Sequence, residues 1–150
     1  MRTGPAGPTK LGITVPKNLT ILHKDLFESD ATIDEAPNFK HREFLVSRHR
    51  DDVYFVDHFN QQIKRNIERL ARQFQKVRDI LDEPLIITSG YRPPDLNKEV
   101  GGADNSYHLR ALAADVRGPD LDSIVEAAEE VGTFVEIIKY DGFVHLAIDD

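Results

Sequence analysis

The chain has 150 residues, 40% hydrophobic and 30% charged, a composition that fits one soluble domain with a sizeable core. Its net charge of −7 speaks against a nucleic-acid-binding face and against a basic helix lying on a membrane. With no cysteine it can form neither a disulfide nor a thiolate site, so any transition metal must be held by histidine and carboxylate.

The first residues carry six Gly or Pro by position 16 and no apolar run, which predicts an extended arm over 1–20 rather than a secretory signal. No apolar stretch approaches the length needed to cross a bilayer. Residues 21–55 show short apolar clusters (Ile21, Leu22, Leu26, Phe27; Phe44, Leu45, Val46) without a period, and read as short helices and loops. From about Val56 to Leu81, apolar residues recur in alternating steps of three and four, with Arg65, Glu68, Arg72, Gln75 and Arg78 opposite. That predicts one long amphipathic helix, serving as scaffold.

After Pro84 the pattern shortens. Leu85 to Thr88 is a β-branched strand ending at Gly90, and Pro93-Pro94 open a short helix to about Val100, closed by Gly101-Gly102. Leu112 to Val116 reads as a strand, and Asp120 to Val131 as a helix between Pro119 and Gly132. Thr133–Tyr140 and Phe143–Ile148 are two strands joined at Asp141-Gly142, a hairpin signal. The order predicts an α+β domain over 21–150 with a small, mainly antiparallel sheet flanked by helices.

Alternation sets Asp115 opposite Leu112, Ala114 and Val116, and sets His145 opposite Val144, Leu146 and Ile148. If the two strands are neighbours, both polar side chains converge on a point that His108 reaches from its loop. Two imidazoles and a carboxylate suit a catalytic zinc, which keeps one position for water. The other histidines, His23, His41, His49 and His58, show no ligand spacing and read as surface residues. Arg48-His49-Arg50 followed by Asp51-Asp52 reads as a self-compensating charge run, though an anionic polymer or another protein subunit would also suit its charge.

Spacing alone is weak evidence; the surrounding text is stronger. The segments Ile87–Pro94 (ITSGYRPP), Leu96–Gly102, Ser106-Tyr107-His108, Ala113, Asp115 and Phe143–Leu146 stand in one order. This resembles the zinc D-alanyl-D-alanine carboxypeptidase family, in the wider group that includes lysostaphin-type peptidases and the hedgehog signalling domain. The family pattern Ser-x-His-x-x-Gly-x-Ala-x-Asp, followed by a later histidine, falls on Ser106, His108, Ala113, Asp115 and His145. The resemblance implies zinc held by His108, Asp115 and His145. It also implies Arg92 in the active site, steadying a substrate carbonyl or developing oxyanion; the alternative is a surface salt bridge. Ser106 would bond substrate or cap the turn that presents His108. Tyr91 and Tyr107 would line the cleft or simply pack.

Two positions depart from the family. Its glycine between the first two ligands is Ala111, strained if that site needs φ > 0 and tolerated if it needs only small size. Relatives place an acid three residues before the last histidine, where Gly142 stands, and Asp141 is the nearest substitute. Asp141 is either the general base or the aspartate of a tight turn. The implied activity is hydrolysis of a peptide bond in peptidoglycan stem peptides, as carboxypeptidase or endopeptidase. Small family members without a signal are frequently phage-encoded, so the implied setting is a lysin or a virion enzyme. Its arm would then meet other virion proteins. The alternative is a virion structural or wall-binding protein that keeps the fold with weak or no catalysis.

Overall fold

A computed structural model describes residues 31–150, so the predicted arm over 1–20, the apolar cluster from Ile21 to Phe27 and His23 lie outside the described residues. A 3₁₀ turn, His41–Phe44, precedes helix α1, Asp52–His58. The Asp51 carboxylate caps α1 by accepting from the Tyr54 amide at 3.1 Å. Helix α2 spans Gln61–Leu81. The sequence predicts one helix across 56–81, and the structure breaks it at Phe59-Asn60. Asn60 lies at φ −145°, ψ 177°, and its side chain accepts from the Ile63 amide at 2.9 Å to start α2 afresh. The apolar spacing runs through the break because Phe59 still points into the core, 3% exposed.

The buried stripe of α2 is Ile63, Ile67, Leu70, Phe74 and Val77. Phe74 meets Phe39, Phe44 and Phe134 at ring-centroid distances of 6.3, 5.8 and 5.9 Å, which ties the N-terminal turn, α2 and the sheet into one core. His41 is not the surface residue its spacing suggests: its Nε2 contacts Glu68 Oε2 at 2.8 Å on α2, with the imidazole 10% exposed.

Strand β1 is Ile86–Ser89, helix α3 Pro94–Glu99, strand β2 Ala113–Arg117, helix α4 Leu121–Val131, and strands β3 and β4 Phe134–Tyr140 and Phe143–Ile148. A second 3₁₀ turn, Tyr107–Arg110, lies between α3 and β2. The sheet order is β1-β2-β4-β3, with every pair antiparallel. The fold is therefore the α+β arrangement the sequence predicts. Helices α2 and α4 pack together, and α4 lies on β3 and β4. Ala114, Val116, Val144 and Leu146 are fully buried in that core. Strict alternation sends Asp115 and His145 to the opposite face. There the chain from Gly90 to Leu112 folds over them. Burial of the Val116, Val144 and Leu146 side chains contributes about 1.5–3 kcal/mol each, so the sheet is a stiff platform.

Candidate metal centre

Strands β2 and β4 pair in register with Asp115 opposite His145. The 3₁₀ turn brings His108 to them. His108 Nε2, Asp115 Oδ1 and His145 Nδ1 stand 3.1–3.2 Å from one another. A metal bonded at about 2.0–2.1 Å to tetrahedral donors separates neighbouring donors by about 3.3 Å, so the triangle has the size such an ion needs. All three side chains are buried.

The outer partners decide which nitrogens hold protons. His108 Nδ1 lies 2.7 Å from the Gly90 carbonyl, which only accepts, so Nδ1 carries the hydrogen and Nε2 offers its lone pair. His145 Nε2 lies 2.7 Å from Glu136 Oε1, so Nε2 donates to the carboxylate and Nδ1 is left free to ligate. Three lone-pair donors thus face one point, an arrangement that repels itself unless a cation sits among them. A proton among these atoms relieves the same repulsion. Burial opposes charge on Asp115, yet the His108 and His145 contacts outweigh it and hold the carboxyl well below its usual range. Burial likewise opposes charge on His145, and Asp115 and Glu136 overcome it to raise the imidazole pKa. The site attracts positive charge.

Arg92 forms the adjoining wall. Its guanidinium contacts Ser89 Oγ, Asn97 Oδ1 and Asp115 Oδ2, each at 3.3 Å. Burial lowers its pKa, and Asp115 opposes that shift. Oδ2 of Asp115 is thereby occupied while Oδ1 turns to the histidines. Asn97 is itself fixed by Nδ2 donating to the Ala103 carbonyl at 2.9 Å. A Cβ at residue 102 would lie 2.0 Å from Asn97 Oδ1, so any larger residue there would have to displace the Asn97 amide.

The other expected residues separate. Ser106 Oγ accepts from the His108 amide at 3.1 Å and caps the turn, and the residue also lines the cleft. Tyr107 lines the cleft, with Arg110 over its ring at 5.2 Å. Tyr91 instead packs into the core at 7% exposure and is not among the cleft residues, because its amide is drawn to the Phe44 carbonyl at 2.8 Å. Asp141 stands exposed at the hairpin tip, outside the cleft lining. Its neighbour Gly142 has φ +91°, so the pair serves as a tight turn. The carboxylate that does reach the site is Glu136, which the sequence reading missed. Ala111 adopts φ 59°, ψ 33° and is 1% exposed, so its site requires both positive φ and small size.

The cleft over this centre has a volume of about 570 Å³. The model of the Peptidase M15 family matches residues 37–147, which include every residue of the centre. The chain belongs to the Peptidase M15 family. A search of the curated proteins finds no match. M15 peptidases are zinc-dependent metallopeptidases, and the donor set here, two neutral imidazoles and a carboxylate, is one that zinc accepts. Among the described residues, no helix is long and apolar enough to cross a membrane.

Proposed function

We propose that the protein hydrolyses a peptide bond in peptidoglycan stem peptides, with zinc held by His108 Nε2, Asp115 Oδ1 and His145 Nδ1. The observation that carries this reading is the triangle of three lone pairs whose outer partners, Gly90 and Glu136, fix the metal-competent tautomers. Zinc there would supply Lewis acidity, polarising a carbonyl and acidifying water. Arg92 holds Asp115 in place and presents a cation beside the carbonyl oxygen as charge develops. Among the described residues only Asp115 and Glu136 supply carboxylates to this cleft, and both Asp115 oxygens are engaged. We therefore assign the proton-accepting role to Glu136 through its second oxygen, directly or across one water. Water adds to the carbonyl carbon, Glu136 takes its proton and returns it to the departing nitrogen, and the C–N bond breaks to give acid and amine.

The test is release of amino groups from purified peptidoglycan by zinc-loaded protein, compared with metal-free protein and with His108→Ala. Zinc-dependent release is the expected result; none from the zinc-loaded wild type would reject the enzyme.

A second reading, a wall-binding or virion structural protein with weak or no catalysis, is favoured by one observation. Glu136 already serves His145, and the acid that relatives carry at position 142 is a glycine. Co-sedimentation with peptidoglycan without hydrolysis would select it. For either reading we propose a phage setting, with the domain beginning near residue 21 and residues 1–20 meeting other virion proteins. Support for that setting is the composition of the arm and the family resemblance.

A further inference from the structure

The cleft does not stop at the metal centre. A second lobe of about 240 Å³ shares Arg92, Val100, Asp115 and Phe143 with the main cleft and extends toward Ser47, Arg48 and His49. The loop carrying these residues is built, not loose. Ser47 and Arg50 form an isolated bridge, and the His49 amide donates to Ser47 Oγ at 3.0 Å. Arg50 clamps the loop to α3 through both oxygens of Glu99, at 2.8 and 3.1 Å.

The charge run therefore does not compensate itself as the sequence suggests. Arg50 is taken by Glu99, and Asp51 is taken by the cap of α1. Among the described residues Arg48 has no ion-pair or hydrogen-bond partner. Asp115, the only acid lining this lobe among the described residues, is committed to Arg92 and the two histidines. Among the described residues of a chain of net charge −7, Arg48 thus stands as an unpaired cation on the wall of a lobe continuous with the metal centre.

We propose that this lobe binds a carboxylate of the peptide substrate, with Arg48 as the recognising cation and around it the hydroxyls of Ser47 and Ser89, which accept from the His49 amide and Arg92 Nε and keep their own hydrogens to donate. The small volume suits a single small residue next to the scissile bond, not a length of polymer. Two sources share this chemistry: the free C-terminal carboxylate of the peptide, or an acidic side chain beside the bond. The inference rests on the peptidase reading and deepens it, because the source of the carboxylate separates trimming of a terminal residue from cleavage within a chain.

The experiment uses the full-length, zinc-loaded protein and three short synthetic peptides: one ending in D-Ala-D-Ala with a free carboxylate, its C-terminal amide, and the amide with glutamate next to the scissile bond. Wild-type protein is expected to prefer one carboxylate-bearing peptide over the plain amide in kcat/KM. Arg48→Ala should cut that preference by about 10-fold, chiefly through KM, while Arg48→Lys retains part of it. Loss confined to the first peptide assigns the terminal carboxylate; loss confined to the third assigns the side chain. A preference unchanged in Arg48→Ala, in protein whose melting temperature and zinc content match wild type, overturns the proposal. If wild type cleaves none of the peptides, the peptidase reading fails separately. Fluorescence anisotropy of the same labelled peptides then decides, and binding that is absent or indifferent to Arg48→Ala overturns the lobe as well.

Discussion

His145 and Asp141 lie four residues apart in one hairpin, yet the structure treats them as different kinds of position. His145 sits on a central strand, paired on one side with Asp115 of β2 and on the other with Ile138 of β3. Asp141 sits at the tip, exposed to solvent. A side chain flanked by two strands inherits the stiffness of the sheet, and a ligand must be held to within a fraction of an ångström. A tip residue has no such support. The lesson is that chemistry in this fold is placed by strand register, and that the turns only deliver what the strands cannot reach, as the 3₁₀ turn delivers His108.

The largest effect should come from breaking the strand-held centre. His108→Ala with His145→Ala removes two of three donors, and stoichiometric zinc by elemental analysis should fall to background, with hydrolysis lost alongside. Zinc content equal to wild type would place the metal elsewhere. Next comes Glu136. Glu136→Gln keeps an oxygen to accept from His145 Nε2 but cannot take a proton. Turnover should drop by about 10²–10⁴-fold with zinc retained. Glu136→Ala also frees the imidazole, and zinc affinity should weaken by about 10–100-fold. Normal turnover in Glu136→Gln would reduce Glu136 to a positioning residue. Asp141→Asn, by contrast, should change turnover by less than about 2-fold, since exposed turn residues away from the site seldom matter. A large loss there would reverse the comparison between strand and tip.

Much of this is legible in the sequence. The face alternation of 112–116 and 143–148 puts Asp115 and His145 on the non-core side, and the structure pairs them directly. Glu136 was legible too, though unread. A two-residue turn at Asp141-Gly142 sets Tyr140 against Phe143, so Ile138 faces His145, and Glu136 follows two residues along on the same side. The acid stands across the hairpin from the histidine and not along its own strand, so nearness in sequence does not reveal it. The break at Asn60 was hidden for another reason: apolar spacing reports which face is buried, and Phe59 keeps that face through a cap that interrupts the backbone. The carbonyl of Gly90 and the isolation of Arg48 had no sequence signal. Each depends on which distant segments the fold brings alongside, and on Arg50 finding Glu99 across 49 positions of chain.

The smallest effect is the most instructive about the turn that carries His108. Ala111 ends that turn at φ 59°, a conformation that disfavours a side chain by about 1–2 kcal/mol. Ala111→Gly relieves the strain, but two terms oppose it. The alanine methyl is 1% exposed, and its removal forfeits about 0.8 kcal/mol of burial. Glycine also adds freedom to the unfolded chain, worth about 0.5–1 kcal/mol. The terms nearly cancel, so stability by urea denaturation should stay within about 1 kcal/mol of wild type. Ala111→Val adds a branched side chain to a position that needs both positive φ and small size, and should lose about 2 kcal/mol or more. Zinc affinity is the sharper readout, because the residue is three positions from His108 Nε2 and its amide donates to the His108 carbonyl at 3.2 Å. If Ala111→Gly loosens the turn, zinc binding weakens even where stability does not. If zinc binding is unchanged, then Gly90 and Arg92, whose backbones bond the His108 ring and carbonyl at 2.7 and 2.9 Å, hold the ligand without help from residue 111.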